Sequence, residues 1–100
     1  MDITITGRHM PITDAIQQHA NDKASKLSRY YDRLAKLEIV IDKAEDRRSY
    51  DVEFIAHVDG KDHLVAHAYH EDLYHGIEHA VQKMERRLTD LKEKLRSHKH

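Results

Sequence analysis

Hydrophobic residues recur along this chain with two periods. Between Asp2 and Gly7, Ile3 and Ile5 alternate with Thr4 and Thr6, a period-two pattern of β-branched residues that predicts a first strand. After Pro11, Thr13 stands as a helix N-cap ahead of Asp14, whose carboxylate suits the positive end of the helix dipole. Ile16, Ala20, Ala24, Leu27, Tyr31 and Leu34 then recur at three- and four-residue spacing, which predicts one helix with all of them on a single stripe. Alternation returns with Leu37, Ile39 and Ile41 against Glu38, Val40 and Asp42. A charged connection, Glu45 to Arg48, leads to a third strand in which Tyr50, Val52, Phe54, Ala56 and Val58 point one way. Past the turn at Asp59 and Gly60, a fourth strand sets Leu64, Ala66 and Ala68 inward against Val65, His67 and Tyr69 outward. Asp72 then caps a second helix carrying Leu73, Ile77, Val81, Met84, Leu88, Leu91 and Leu95. Gly76 within it costs about 1 kcal/mol relative to alanine, tolerable where a close backbone approach or a tight strand-to-helix corner offsets it.

The order β-α-β-β-β-α predicts an α+β two-layer sandwich, a four-stranded sheet with two helices packed on one face, formed by residues 1–100 as one domain. Parity sharpens the last hairpin. A two-residue Asp-Gly loop would set Ala56 opposite His63 and mix the two faces, so an odd loop is required. A three-residue loop, Gly60 to Asp62, would pair Val58 with Leu64, Ala56 with Ala66 and Phe54 with Ala68 in a bulged hairpin, the alanines leaving room for Phe54.

Composition narrows the chemistry. A length of 100 residues suits one core and excludes a two-domain enzyme. With no cysteine there is no disulfide, thiolate metal site or cysteine nucleophile. No basic segment followed by an apolar stretch opens the chain, and no apolar run approaches the roughly 18 residues of a membrane span, so a cytoplasmic protein without membrane partners is expected. Seventeen Lys and Arg against 18 Asp and Glu give a formal charge of -1, which alone argues against nucleic-acid binding and leaves distribution to decide. Projected as helices, Lys23, Lys26, Arg29 and Arg33 line one flank of the first apolar stripe, and Lys83, Arg86, Arg87 and Lys94 one flank of the second. Glu78, Glu85 and Glu93 lie opposite. Such residues solvate helix faces or form i,i+4 pairs such as Asp90 with Lys94. Sorted twice, they equally suit a surface for phosphate, which needs local cation density and not net charge.

Two further chemistries are open. The segment His75-Gly76-Ile77-Glu78-His79 matches H-x-x-E-H, in which two histidines one turn apart bind zinc and the glutamate acts as base. No spacing supplies a third ligand, and with ten histidines in the chain an i,i+4 pair arises readily by chance, so His75 and His79 stand as candidate ligands with no cofactor expected. No other spacing nominates catalytic groups, and the chain does not read as an enzyme. Ile55, Val65, His67 and Tyr69 on the outer sheet face also suit a protein-binding module, against ordinary surface hydrophobicity.

The stretches ITGRHMPITDAIQQHANDKASKLSRYYDR and AHAYHEDLYHGIEHAVQKMERRLTDLKEKL resemble the two halves of ribosome hibernation promoting factors and ribosome-associated inhibitors, the sigma-54 modulation or S30EA-like proteins. The resemblance implies a domain similar to double-stranded RNA-binding modules, which read phosphate and shape more than base sequence. It implies a monomer that binds the 30S ribosomal subunit, through 16S ribosomal RNA and ribosomal proteins, and sterically blocks the channel for messenger and transfer RNA under stress. Lys23, Lys26, Arg33, Lys83, Arg86, Lys92 and Lys94 match basic positions of that family, and the projection adds Arg29 and Arg87. Ending at His100, the sequence is expected to be the short form, which acts with a separate ribosome modulation factor to pair ribosomes into inactive dimers. The alternative within the family is an inhibitor that silences single ribosomes. Asp42, Asp46, Asp90 and Glu93 depart from its more continuous basic pattern.

Overall fold

A computed structural model of the chain describes residues 1–60 and 63–97. The elements are β1 (Asp2–Arg8), α1 (Asp14–Ala24), a 3-10 segment (Ser25–Arg29), β2 (Leu34–Lys43), β3 (Tyr50–Val58), β4 (Leu64–His70) and α2 (Leu73–Ser97). The strands form one sheet in the order β1-β2-β3-β4, with β1 parallel to β2 and the other neighbours antiparallel. A parallel neighbour demands a crossover, and α1 supplies it. Both helices cover the same face, burying Leu37, Ile39, Ile41, Val52, Phe54, Ala56, Ala66 and Ala68 beneath Ile16, Leu27, Ile77, Met84 and Leu88. The expected α+β sandwich is the observed one.

Both predicted caps form: the Thr13 hydroxyl accepts from the Ile16 N–H at 3.2 Å, and Asp72 Oδ1 accepts from the His75 N–H at 3.1 Å. The first helix nevertheless stops ten residues short of Leu34, at Ala24, and tightens into the 3-10 segment. Ser25 and Ser28 donate their hydroxyls to the carbonyls of Asp22 and Ser25, a local alternative to regular α-helix. Leu27 and Tyr31 stay buried through this change, and Leu34 opens β2. Leu34 keeps helical spacing because the strand is bulged. Pairing passes from Leu34 opposite Val58 to Lys36 opposite His57, leaving Ala35 unopposed, so Leu34 and Leu37 both face the core although three residues apart.

The β3–β4 hairpin corrects the expected register by two residues. Phe54 faces Ala66, Val52 faces Ala68 and Ala56 faces Leu64, which centres the connection on Gly60, at φ 71°, and not on residue 61. A shift of two preserves which face each side chain takes, so parity was legible while the neighbours were not. The described β3–β4 pairs run without a bulge, and Lys61 and Asp62 of the expected loop lie outside the described residues.

Helix α2 crosses β3 and β4 beside α1. A Cβ on Gly76 would sit 3.3 Å from Val52 Cγ2 and 3.5 Å from His70 Cβ, so the glycine lets the first turn approach the sheet. At about 1.5 Å per residue the 25-residue helix is roughly 37 Å long and overhangs the strands, which gives the molecule its 50 × 23 × 19 Å shape. Leu91 and Leu95, on the overhang, are only partly buried.

The β1–α1 corner is tighter still. A Cβ on Gly7 would collide with the Met10 carbonyl oxygen and sit 3.0 Å from Ile12 Cγ1. Gly7→Ala is expected to lower stability by about 1–3 kcal/mol, the usual cost of overpacking, read as a reduced urea midpoint. An unchanged midpoint would show that the corner yields.

A cationic helical face and an anionic sheet face

The nominated cations are carried by the helical layer, but not on one flank of each helix. Lys23, late in α1, turns toward α2 and pairs with Glu78 at 3.6 Å. Lys26 and Arg29 are exposed on the 3-10 segment, where residues three apart eclipse. Arg33 lies in the turn before β2, its carbonyl accepting the Asp59 N–H at 3.1 Å. Because the α-helix ends at Ala24, no single projection orders these four.

Around α2 the cations spread over the solvent half of the cylinder. Lys83 reaches the β4 side, its Nζ donating to the His67 carbonyl at 2.6 Å. Arg86 and Arg87 are exposed, as is Lys94. Lys92 falls about half a turn from Lys83, on the side of the 3-10 segment. There Tyr31, Asp32, Arg33, Lys92, Leu95 and Arg96 line a groove of roughly 470 Å³. Arg96 was not nominated from the sequence, although its four-residue spacing from Lys92 places both on one side of the helix.

The opposite face of the sheet carries carboxylates and histidines. Glu38, Asp42, Asp51 and Glu53 point outward from the two central strands. His57 Nε2 bonds Glu38 Oε2 at 2.5 Å, His9 Nδ1 bonds Asp42 Oδ1 at 2.9 Å, and His67 Nε2 lies 3.5 Å from Asp51 Oδ1. The His57 hydrogen bond holds the Glu38 carboxyl below the ordinary glutamate range, with Lys36 assisting. At the β2–β3 turn, Asp46 accepts from the N–H groups of Arg48 and Ser49 and from the Ser49 and Tyr69 hydroxyls, and this set, led by the Arg48 N–H, lowers its pKa. Asp46 thus organises a turn that contains Arg47 at φ 58°, a role its sequence position did not announce. A larger groove, of roughly 1050 Å³, lies near this turn and includes Asp42, Asp51, Lys43 and Arg47, so no one sign of charge dominates it.

The H-x-x-E-H histidines sit at the β4–α2 corner, with their rings 5.5 Å (His75) and 5.7 Å (His79) from the His70 ring. His70 Nδ1 already accepts the Asp72 N–H at 2.9 Å, which occupies that lone pair. Glu78 faces Lys23 and not the histidines. Among the described residues no three histidine, aspartate or glutamate side chains are grouped to hold a metal ion.

The fold and the charge define a class of two-layer α+β domain in which the nominated cations lie in the helical layer and the open sheet face carries mainly carboxylates and histidines. The chain belongs to the family described as sigma 54 modulation protein / S30EA ribosomal protein, which matches residues 3–96. It is 32% identical over 94 residues to the ribosome hibernation promoting factor of Azotobacter vinelandii, covering 94% of this chain and 85% of that one. It is likewise 32% identical over 98 residues to the factor of that name from Escherichia coli K12, covering 98% and 100%. Among solved structures it is similar to the Thermus thermophilus Protein Y N-terminal domain, with TM-score 0.80 and 27% identity over 91% of this chain and 99% of that one. A ribosomal subunit interface protein from Coxiella burnetii shares the fold at TM-score 0.85 and 20% identity, over 93% and 99%. Among the described residues no helix is long and apolar enough to cross a membrane.

The Asp72 cap yields a pH prediction. The His75 N–H that it accepts holds its carboxyl below the usual value of 3.8. A depressed carboxyl contributes stability in full above its unfolded pKa and loses it as pH falls through the folded one. Asp72→Asn keeps an acceptor but cannot titrate. The stability difference between parent and variant is therefore expected to be constant near neutrality and to shrink below about pH 4, measured by thermal melts from pH 7 to pH 2. A difference constant throughout would remove Asp72 from the acid response.

Proposed function

We propose that this chain is a ribosome hibernation factor that binds the small subunit through the cationic helical face and silences it by occupying the channel for messenger and transfer RNA. The observation that carries the reading is an uneven distribution of charge: on a chain of net charge -1 the nominated lysines and arginines all lie in the helical layer, beside that layer's own acidic residues, while the outer sheet face carries mainly carboxylates and histidines. Family membership and relatives named for ribosome hibernation support a ribosomal target for that side. Inhibition on this reading is steric, and no bond is made or broken.

Chemically, Lys26, Arg29, Arg86 and Arg87 offer exposed donors to phosphate, and the Arg33, Lys92 and Arg96 groove adds a concave site. Lys23 and Lys83 contribute while also holding Glu78 and the His67 carbonyl. A lysine ammonium has three donors, so one internal bond leaves others for a phosphate. In cells, partnership with a separate modulation factor would join silenced ribosomes in pairs.

Co-sedimentation with small subunits across a salt series tests the reading. Binding is expected to weaken linearly in log salt, and the Lys26→Ala, Arg29→Ala, Arg86→Ala, Arg87→Ala variant is expected to flatten that slope by about 0.7 to 0.9 for each phosphate it no longer neutralises. A wild-type chain that stays in the supernatant at low salt, or a variant with an unchanged slope, would overturn it.

A further inference from the structure

The open sheet face has chemistry of its own. Ile55 pairs directly with Val65 at its centre, Val40 lies one residue pair away, and Val65 and Tyr69 are 42% and 56% exposed. Around this apolar strip stand Glu38, opposite Ile55, and Glu53, flanked by Val40 and His67. Asp42 and Asp51 oppose each other across β2 and β3, a like-charge pair that weakens the sheet. Among the described residues of the strands, Arg8 of β1, opposite Asp42, and Lys36 of β2, between Asp2 and His57 and close enough to act on Glu38, bring cations to the face.

An apolar strip with carboxylates along its β2 and β3 side complements a chain that is cationic with apolar residues between its charges. We propose that the open sheet face docks a lysine- and arginine-rich polypeptide segment over Ile55 and Val65, and releases it as the face's histidines take up protons. The choice of a protein segment rests on the proposed function. With the helices against RNA, the anionic face is repelled by phosphate and is complementary to the cationic polypeptides that accompany RNA. A second copy, offering its cationic helices, is the competing occupant.

Release follows from the cross-strand pairs. While neutral, His9, His57 and His67 leave Asp42, Glu38 and Asp51 their full charge, and each proton gained cancels a carboxylate beside it. His63, its ring 3.9 Å from that of His57, adds a further cation when protonated, while Asp46, accepting from the Tyr69 hydroxyl, keeps its negative charge at the border of the face and offsets part of the gain. Neither helix packs on this face; the groups that bear on it are those named on the strands and beside β1, with Glu45, Arg47 and Arg48 accompanying Asp46 on the β2–β3 turn at its border. Affinity for a cationic segment therefore decreases as the pH is lowered.

The test is a nuclear magnetic resonance titration of the free chain with a short lysine- and arginine-rich peptide bearing a central leucine, at about pH 7.5 and about pH 5.5. Amide shifts are expected at Val40, Glu53, Ile55 and Val65, with affinity at least about tenfold weaker at the lower pH and in the Glu38→Gln, Asp51→Asn, Glu53→Gln variant. Retained amide dispersion reports that this variant is folded, and Val65→Ser provides a second variant that weakens binding without touching a charge. Shifts spread over Glu85, Asp90 and Glu93, affinity indifferent to the variants, or concentration-dependent dimerisation in place of peptide binding would each overturn the proposal. Because no ribosome is present, its failure is distinguishable from failure of the small-subunit reading, which the salt series decides.

Discussion

Two helices can cover one face of a four-stranded sheet and no more, and that one-sided burial governs the rest of this structure. Phe54, fully buried between Ile39 of β2 and Ala66 of β4, sits at the middle of the covered face. The alanines Ala66 and Ala68 let the helical layer come close, and Gly76 lets the first turn of α2 come closer. Apolar residues committed to this single core leave the outer halves of the helices to charged groups of both signs, and leave the outer sheet face a short apolar strip of Val40, Ile55 and Val65 among carboxylates and histidines.

Most of this was legible in periodicity, because a half-buried sheet and a half-buried helix each advertise their buried side. Strands β3 and β4 and helix α2 follow their patterns closely. The first helix was over-read for an identifiable reason. Leu34 continues the three- and four-residue spacing of α1 while belonging to β2, since the bulge at Ala35 turns it inward. A bulge costs one residue of phase, and its sequence looks the same as one more helical turn. The hairpin register was likewise out of reach: face parity constrains the loop to odd length but cannot choose between centres one residue apart.

The candidate site was legible as a set of residues and not as an arrangement. Lys26, Arg29, Arg86 and Arg87 are exposed as their positions suggested, but the 3-10 segment redistributes those after Ala24. Lys92 meets Arg33 and Arg96 in a groove that no single helix projection contains, since it is built from two elements far apart in sequence. The histidine–carboxylate pairs of the sheet face were invisible for the same reason. His57 and Glu38 are 19 residues apart, and only register brings them together.

The bond from Lys83 to the His67 carbonyl has a consequence for handling the protein. Strand β4 has a partner on one side only, and its free side offers unpaired backbone groups on which another molecule's strand could be templated. A lysine laid across that border occupies an acceptor and plants a charge where such an addition would begin. A side chain nominated for contact with RNA is thus also tied to the border of the sheet, and removing it would free the His67 carbonyl on that border.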